Sequence, residues 1–255
     1  MKLITLVLQP FIYLWVFMLL VVIMLPISII VLPLDTAKRF KISAPFWNLF
    51  FRLSLSTGMF VKKFSEDRRD EESKKSISPK GLYIGNHQSV IDIPVLYSHM
   101  VSPPIMKKSI LYIPLFGICA YSSGAIVVDR KDPHSRKKVM EEATRRLLSK
   151  DFMQLQYYPE GTRNKLSSAP KPVNQIKSRL ILFAYQNNIP VYPFSIYGTQ
   201  NIIRNKIIRL GQQVGIILHE AIEPKDFETS EAFINACWNK VIEGNQELSE
   251  KFTRG

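Results

Sequence analysis

The sequence contains only two cysteines, Cys119 and Cys237, which lie far apart and form no Cys-x-x-Cys motif. A disulfide-stabilised scaffold or a zinc–thiolate site needs more cysteines than this, and so low a number is typical of a reducing compartment. The sequence also lacks a Gly-x-Ser-x-Gly motif, which argues against an enzyme serine as the nucleophile. Because His99, His134 and His219 show no ligand-like spacing with acids or cysteines, we expect no metal site.

Acidic residues are scarce relative to basic ones. There are 21 Asp and Glu against 34 Lys and Arg, which gives a formal net charge of +13. Such a surplus suits nucleic acid, an anionic membrane surface or phosphorylated substrates as partners. Because no recognisable nucleic-acid fold signature is present, we expect no nucleic-acid partner. A non-enzymatic, membrane-anchored basic module that binds nucleic acid or anionic lipid is retained as a less favoured alternative to an enzyme.

Charge is absent from Leu3 to Leu34, and residues 11–25 are apolar without a break. A helix that spans a bilayer needs about 20 predominantly apolar residues, so this stretch predicts a membrane helix. A cleaved signal peptide fits poorly, because the apolar run is long and no small-x-small cleavage site follows it. Three prolines leave room for a kinked span or for a helical hairpin that enters and leaves the same leaflet: Pro10, Pro26 and Pro33.

Composition divides the chain into three parts. Lys2 alone precedes the apolar stretch and several basic residues follow it, which places the rest of the chain on the cytoplasmic side of a cell inner membrane or an endoplasmic-reticulum-type membrane. Residues 43–64 have apolar and aromatic side chains at helical spacing, which predicts an interfacial helix or an ordinary helix packed on the core. We therefore expect membrane-anchoring helices at 1–64, a charged linker at 65–80 and an α/β domain at 81–255.

Strand patterns and helix patterns alternate along the third part. Strands are predicted at 82–84, 125–128, 152–158, 189–196 and 214–218, and helices at 91–100, 135–150, 173–188 and 230–252. This alternation predicts an α/β fold with a mixed, largely parallel sheet flanked by helices. Loops at strand ends are where such folds place their chemistry.

The first site-like turn contains Asn86, His87 and Asp92, directly after the strand at 82–84. An imidazole beside a carboxylate can act as a general base. Positions five apart on a helix are separated by about 140°, so the two side chains would not share a helix face. Pro94 is tolerated only in a first turn, so the helix begins near Asp92, which can cap it, and His87 lies in the preceding turn, which can fold back onto Asp92.

The His87-x4-Asp92 pattern is short. On this pattern alone, a surface histidine and a capping aspartate that never meet remain an open alternative. If the pair does act, backbone amides at the start of the 91–100 helix are candidates to stabilise an oxyanion.

A second site-like turn, Pro159 to Arg163, follows the strand at 152–158. Gly161 permits close backbone approach, Thr162 offers a hydroxyl, and Arg163 offers a forked cation suited to phosphate. Taken alone, the same residues could form an ordinary polar turn at a strand end.

These turns belong to four blocks that occur in order along the chain. The blocks are Asn86-His87-x4-Asp92; Lys107-Lys108 with the run ending at Gly117 and Val128-Asp129-Arg130; Tyr158 to Arg163; and Ile189 to Pro193. In this order the chain resembles the glycerolipid acyltransferase family, most closely the 1-acyl-sn-glycerol-3-phosphate (lysophosphatidic acid) acyltransferases. The resemblance implies a glycerol-3-phosphate acyltransferase-like α/β domain behind a hydrophobic N-terminal membrane helix or hairpin.

The resemblance also implies a role for individual residues. His87 would be the general base, with Asp92 and Asn86 as orienting residues. The glycerol phosphate would lie among Lys108, Gly161, Thr162 and Arg163, supported by Arg130 and Glu160. Pro193 would shape the acyl-chain side of the site.

The implied reaction moves a fatty acyl group from acyl-CoA or an acyl carrier protein thioester to the free hydroxyl of lysophosphatidic acid, and gives phosphatidic acid. The expected partners are these substrates and membrane lipids, with no cofactor. Two positions depart from the family pattern: Ser109 stands where glutamate is common, and Ser178 follows Lys177 where glycine is common. An acyltransferase for another lysophospholipid or an amino-lipid therefore remains an alternative.

Overall fold

The computed structural model describes residues 2–129, 131–151, 154–164, 169–204 and 207–254. The strands, in chain order, are β1 (Lys62–Asp67), β2 (Gly81–Gly85), β3 (Ile105–Lys107), β4 (Ile126–Val128), β5 (Gln154–Tyr157), β6 (Val191–Tyr197), β7 (Ile203–Arg204), β8 (Ile207–Ile208) and β9 (Gln213–Leu218). Among the described residues, the main sheet has five strands in the order β1-β9-β6-β2-β5.

The pairing of these strands is mostly parallel. Strand β2 pairs in parallel with β5 and with β6, β1 pairs in parallel with β9, and β9 is antiparallel to β6. A small parallel sheet of β3 and β4 continues beyond β5 through a parallel bridge between Pro104 and Gln156. Strands β2 to β6 therefore run the same way, and their carboxyl ends meet at one edge. The mixed, largely parallel sheet predicted from sequence is confirmed.

Helices cover the sheet. They are α1 (Lys2–Leu19), α2 (Leu25–Val31), α3 (Thr36–Leu53), α4 (Glu71–Lys74), α5 (Asp92–Tyr97), α6 (Phe116–Ser122), α7 (Pro133–Leu147), α8 (Arg179–Gln186) and α9 (Ser230–Arg254). Successive residues of β2 point to opposite faces: Tyr83 belongs to the core under α5, whereas Leu82 and Ile84 belong to the core under α7, α8 and α9. Because both faces are covered, β2 is buried along its whole length and reads as a continuous apolar run.

Pro10 and Pro26 do not form the turn of a hairpin, whereas Pro33 lies in the turn that follows α2. Helices α1 and α2 are joined by a π-helical segment, Leu20–Met24, with Pro10 inside α1 and Pro26 at the start of α2. Pro26 has no N–H to donate. The wider hydrogen-bond register of the π segment lets the helix continue past this residue. The chain reverses after Val31 instead, and α3 begins where the Asp35 side chain accepts the backbone N–H of Lys38 at 3.0 Å.

One face of the long N-terminal helix packs on the domain and the other is exposed. Among the described residues, Val7–Val31 is the one helical stretch long and apolar enough to cross a membrane, and 28% of its most apolar window is buried. Gln9 Oε1 accepts the backbone N–H of Ile208 at 3.2 Å, and Ser28 donates to the hydroxyl of Ser122 at 3.1 Å. The helix thus lies along the domain, with an outward apolar surface that core burial does not explain.

The expected charged linker at 65–80 is partly sheet. Ser65, Glu66 and Asp67 belong to β1, which forms one edge of the main sheet, and α4 follows. Charged side chains protect an edge strand from pairing with other chains, and they also make it resemble a linker in sequence. Arg69 is buried and pairs with Asp67 at 2.7 Å, so this segment is anchored to the domain.

Candidate active site

The first site-like turn brings its two titratable side chains together. Strand β2 ends at Gly85, and α5 begins at Asp92 with Ile91 as its N-cap. The Nδ1 atom of His87 lies 2.7 Å from Oδ2 of Asp92. The turn between strand and helix therefore folds His87 back onto the first residue of the helix, as Pro94 predicted, and the alternative in which the two never meet is not what the structure shows.

The carboxylate of Asp92 is fully buried and serves the turn rather than its own helix. Oδ2 also accepts the backbone N–H of Gln88 at 2.7 Å and of Ser89 at 2.9 Å. Oδ1 accepts the hydroxyl of Thr199, which follows β6. The expectation that Asp92 caps α5 is therefore wrong. Four donors satisfy a buried carboxylate and hold it in one orientation.

These contacts determine which nitrogen of His87 is available. A carboxylate accepts hydrogen bonds, so Nδ1 carries the proton that points at Asp92, and the lone pair resides on Nε2. Nε2 makes no hydrogen bond to any residue that the structure describes, and the side chain is 20% exposed. A histidine in this state can accept a proton from a molecule bound beside it.

Several of the backbone amides near the start of α5, which we expected as oxyanion donors, already have acceptors within the turn. The amides of Gln88 and Ser89 bind Asp92, the amide of Asp92 donates to the carbonyl oxygen of Ser89, and Pro94 has none. The same turn cannot both orient Asp92 and present these N–H groups to a substrate.

The second site-like turn is tied directly to the first. The backbone N–H of His87 donates to Oε1 of Glu160 at 3.1 Å, and the backbone N–H of Asn164 donates to the carbonyl oxygen of His87 at 2.7 Å. The ring of Tyr158 stacks on the His87 imidazole with centroids 4.1 Å apart and planes at 17°. Parallel pairing of β2 with β5 places the two turns side by side, because the carboxyl ends of parallel strands meet at one edge.

Glu160 lies in an unusual environment for a carboxylate. Burial raises its pKa to about 7, against the opposing effects of the His87 N–H and the Lys171 ammonium, while the Asp92 charge raises it further. Its Oε2 atom is buried and has no hydrogen-bond partner among the described residues. Near neutral pH this group therefore exists in both protonation states.

Gly161 has a backbone conformation that would be strained for most other residues. Its φ is +71°, and a Cβ there would lie 2.9 Å from Cε and Nζ of Lys177. The Lys177 side chain thus packs over the Gly161 backbone, a contact that the sequence analysis did not identify. Thr162 and Arg163 are exposed and make no hydrogen bond or ion pair with another described residue, so they are available to a ligand.

Lys108 follows β3 at the same edge of the sheet. Its ammonium lies 3.4 Å from Oδ2 of Asp129, which follows β4, and both side chains are partly exposed. Arg130 lies outside the described residues. The parallel order of β3, β4 and β5 places Lys108 on the side of the edge where the Glu160 turn lies.

Asn86 and Pro193 have structural positions in the centre of the sheet. The amide group of Asn86 donates to the Ile196 carbonyl oxygen and accepts the Ile196 N–H, both at 2.8 Å. These two hydrogen bonds to β6 fix the position of Asn86, which is next to His87 in the chain. Pro193 is buried within β6, opposite Ile84 of β2. Its predicted effect on the shape of the acyl-chain site would therefore be exerted from within the sheet.

Thr199 was missed by sequence analysis, as was the stacking of Tyr158 on His87. The sequence signal for Thr199 is its position three residues after the strand predicted at 189–196. Nothing local to it indicates a partner 107 positions earlier.

A family model described as Acyltransferase matches residues 42–197, well over half of the chain. The chain belongs to the acyltransferase family. The matched region begins within α3 and includes both site-like turns. The members compared below carry more specific names.

Two relatives are 1-acyl-sn-glycerol-3-phosphate acyltransferases from Haemophilus influenzae, 32% identical over 54% of this chain, and from Escherichia coli, 28% identical over 72% of it. A third, of the same name, is from Cocos nucifera and is 28% identical over 54% of the chain. The matched segment spans 55% of the Haemophilus protein, 44% of the Cocos protein and 69% of the Escherichia protein.

The fold has a solved counterpart. The crystal structure of the 1-acyl-sn-glycerophosphate (LPA) acyltransferase PlsC from Thermotoga maritima matches with a TM-score of 0.73 at 22% identity, over 96% of this chain and 98% of that one. The likeness extends over the N-terminal helices as well as the sheet, and it confirms the acyltransferase-like fold that the four sequence blocks implied.

Proposed function

We propose that this chain is a 1-acyl-sn-glycerol-3-phosphate O-acyltransferase, which transfers a fatty acyl group from a thioester to lysophosphatidic acid and forms phosphatidic acid. The observation that carries the proposal is the 2.7 Å contact between His87 and Asp92 at the carboxyl edge of the parallel strands, with Nε2 of His87 free of described partners. The printed names of the relatives support this choice of acceptor.

In the proposed reaction His87 acts twice. Nε2 takes the proton of the acceptor hydroxyl while the hydroxyl oxygen bonds to the thioester carbonyl carbon. The tetrahedral intermediate then collapses, the carbon–sulfur bond breaks, and the imidazolium returns the proton to the leaving thiolate. Asp92 stabilises the imidazolium and maintains the tautomer. Acid–base help of this kind is typically worth about 10²–10⁴-fold in rate.

The acceptor's phosphate group fits the cationic side of the same edge. Arg163 is exposed without a described partner, and Lys108 is about half exposed beside Asp129. Guanidinium and ammonium groups form charge-assisted hydrogen bonds with phosphate, which are roughly twice as strong as neutral ones. Gly161 allows the backbone of this turn to approach the ligand closely.

The N-terminal helices would keep the site at the membrane. The outward face of the continuous helix formed by α1, the π-helical segment and α2 is apolar and exposed, with Phe11 and Val22 each more than 60% exposed. Because the other face packs along the domain from Gln9 to Ser28, this arrangement favours a hairpin in one leaflet over a full crossing. The basic residues that follow the apolar stretch favour a cytoplasmic position for the domain.

An assay of the purified full chain with lysophosphatidic acid and acyl-CoA tests the catalytic proposal. Replacement of His87 by alanine should lower kcat by about 10²–10⁴-fold. His134→Ala is the matched control, because His134 is an exposed histidine on α7. Unchanged turnover in the His87 variant would remove the catalytic assignment.

A matrix of donors and acceptors tests the substrates. We expect the fastest turnover with lysophosphatidic acid, whether acyl-CoA or acyl carrier protein supplies the acyl group. Faster turnover of another lysophospholipid or an amino-lipid would favour the alternative that Ser109 and Ser178 leave open.

A further inference from the structure

A polar cavity of about 430 Å³ lies away from the candidate active site. Its walls come from four parts of the chain: α3, β1, the segment between α4 and β2 that contains Ile77, and the segment after α5. Asn48 and Arg52 lie one turn apart on α3, Lys63 and Ser65 lie on one face of β1, and His99 follows α5. The cavity shares none of its lining residues with the His87 and Glu160 turns.

The cavity holds positive charge that the protein does not neutralise. Neither Arg52 nor Lys63 forms an ion pair with any residue that the structure describes. Burial, followed by the Arg52 charge, lowers the pKa of Lys63. The acid on the same face of β1, Asp67, is engaged by Arg69 at 2.7 Å. Two neighbouring cations without a counter-ion repel each other, and an anion between them would remove that repulsion.

His99 adds an unsatisfied polar group. Its Nε2 atom is buried and has no hydrogen-bond partner among the described residues. Burial, together with the charges of Lys63 and Arg52, lowers its pKa to about 4. His99 is therefore neutral at physiological pH, and a buried ring nitrogen without a partner is costly unless a ligand or water supplies one.

The neighbouring surface of α3 is apolar and exposed. Ile42, Phe46 and Leu49 recur at spacings of four and three, so they form one stripe, and each is 37–46% exposed. Arg52 follows three positions after Leu49, so the cationic cavity adjoins the end of this stripe. A molecule with a phosphate group and an acyl chain could place one in the cavity and the other along the stripe.

We propose that this cavity binds the phosphate group of an anionic membrane lipid, with Arg52 and Lys63 as its cationic ligands and Ser65 as a hydroxyl donor. The guanidinium of Arg52 and the ammonium of Lys63 form charge-assisted hydrogen bonds with the phosphate oxygens. Its acyl chain lies on the stripe of α3. The proposal does not depend on the chemistry assigned to His87, because no lining residue belongs to that site.

The test is calorimetric titration of the full chain in a phosphate-free, non-ionic detergent. The parent carries Lys108→Gln and Arg163→Gln, so that phosphate binding at the candidate active site is removed from every comparison. The titrants are short-chain phosphatidic acid, the matching diacylglycerol without phosphate, and inorganic phosphate. We expect phosphatidic acid to bind, diacylglycerol to bind at least tenfold more weakly, and inorganic phosphate to compete.

The decisive variant is Arg52→Gln/Lys63→Gln, and the matched control is Lys41→Gln/Lys62→Gln. The control removes the same charge from exposed positions, and Lys62 lies on the opposite face of β1 from Lys63. The cavity variant should bind phosphatidic acid about tenfold or more weakly than the control. Phosphatidic acid should raise the Tm of the parent and the control but not of the cavity variant.

Three results would overturn the proposal. Equal weakening in both double variants would show that general charge, not the cavity, attracts the lipid. Binding of inorganic phosphate without binding of phosphatidic acid would show that the ligand is not a lipid. Absence of binding by every titrant to a parent that melts cooperatively would show that the cavity has no phosphate ligand.

Discussion

Glu160 accepts the backbone N–H of His87 through one carboxylate oxygen, while its other oxygen is buried without a hydrogen-bond partner among the described residues. The residue that fixes the backbone of the candidate base is thus itself a carboxylate in an environment that disfavours its charge. Burial raises the pKa of Glu160 to about 7, from an ordinary value of 4.5.

This relationship predicts how stability depends on pH. Between the ordinary pKa and about 7, the unfolded chain has lost the Glu160 proton and the folded chain retains it, so stability falls as pH rises through that window. The loss at this one group is on the order of 2–3 kcal/mol. Glu160→Gln should remove that part of the slope in urea unfolding measured from pH 5 to 8.

A matched substitution identifies the source of the slope. Glu220 is an exposed carboxylate on the same sheet's periphery, so Glu220→Gln should leave the pH dependence of unfolding as it is in the parent chain. Equal slopes in the parent and the Glu160 variant would mean that Glu160 ionises normally in the folded protein.

Asp92→Asn should disable His87 without removing it. The asparagine amide offers its own N–H groups, so the imidazole tautomer with a lone pair on Nε2 is no longer favoured. We expect kcat to fall on the order of 10³–10⁴-fold in the lysophosphatidic acid assay. Thr199→Val removes one donor to the same carboxylate and keeps its charge, so its kcat should fall about tenfold. A similar, small loss in both would contradict the role of Asp92.

Alanine substitutions at two glycines can distinguish the effect of backbone strain from the effect of displacing Lys177. Gly161 and Gly211 both have positive φ, +71° and +67°, but only at Gly161 would a Cβ meet another group, the end of Lys177. Alanine at either position should cost about 1–2 kcal/mol in unfolding free energy. Only Gly161→Ala should also raise the KM for lysophosphatidic acid, because it displaces Lys177. An equal KM in both variants would show that Lys177 does not affect the phosphate.

The stacking of Tyr158 on His87 predicts a difference between two substitutions. Tyr158→Phe keeps the ring face against the imidazole at a centroid distance near 4.1 Å and loses only the hydroxyl, which accepts from Gln156. Its kcat should stay within a few-fold of the parent. Tyr158→Leu removes the ring face that restricts the imidazole, and its kcat should fall about tenfold. The order would be reversed if the hydroxyl, rather than the ring, were what matters.

Binding of Arg163 to phosphate predicts a change in KM with little change in kcat. Arg163→Gln should raise the KM for lysophosphatidic acid about tenfold, because it removes one charge-assisted contact. Arg145→Gln is the control, since Arg145 lies on the exposed face of α7 in a surface ion pair with Glu142. An unchanged KM in the Arg163 variant would place the phosphate elsewhere.

Local sequence determined the elements that carry the site and the turn that joins His87 to Asp92. Alternation of short apolar runs with amphipathic stretches was enough to predict β2, β6, β9 and their helices, because burial on both faces leaves a continuous apolar signal. Pro94 was enough to predict where α5 begins, because a proline has few allowed positions in a helix.

Only the tertiary structure decided which distant residues complete that turn. Glu160 reaches His87 across 73 positions and Thr199 reaches Asp92 across 107. These contacts exist because β5 and β6 lie on either side of β2. That order arises from packing of the whole sheet and is not encoded in any short segment. For the same reason the charged strand β1 was assigned to a linker: its place at the sheet edge comes from pairing with β9, far along the chain.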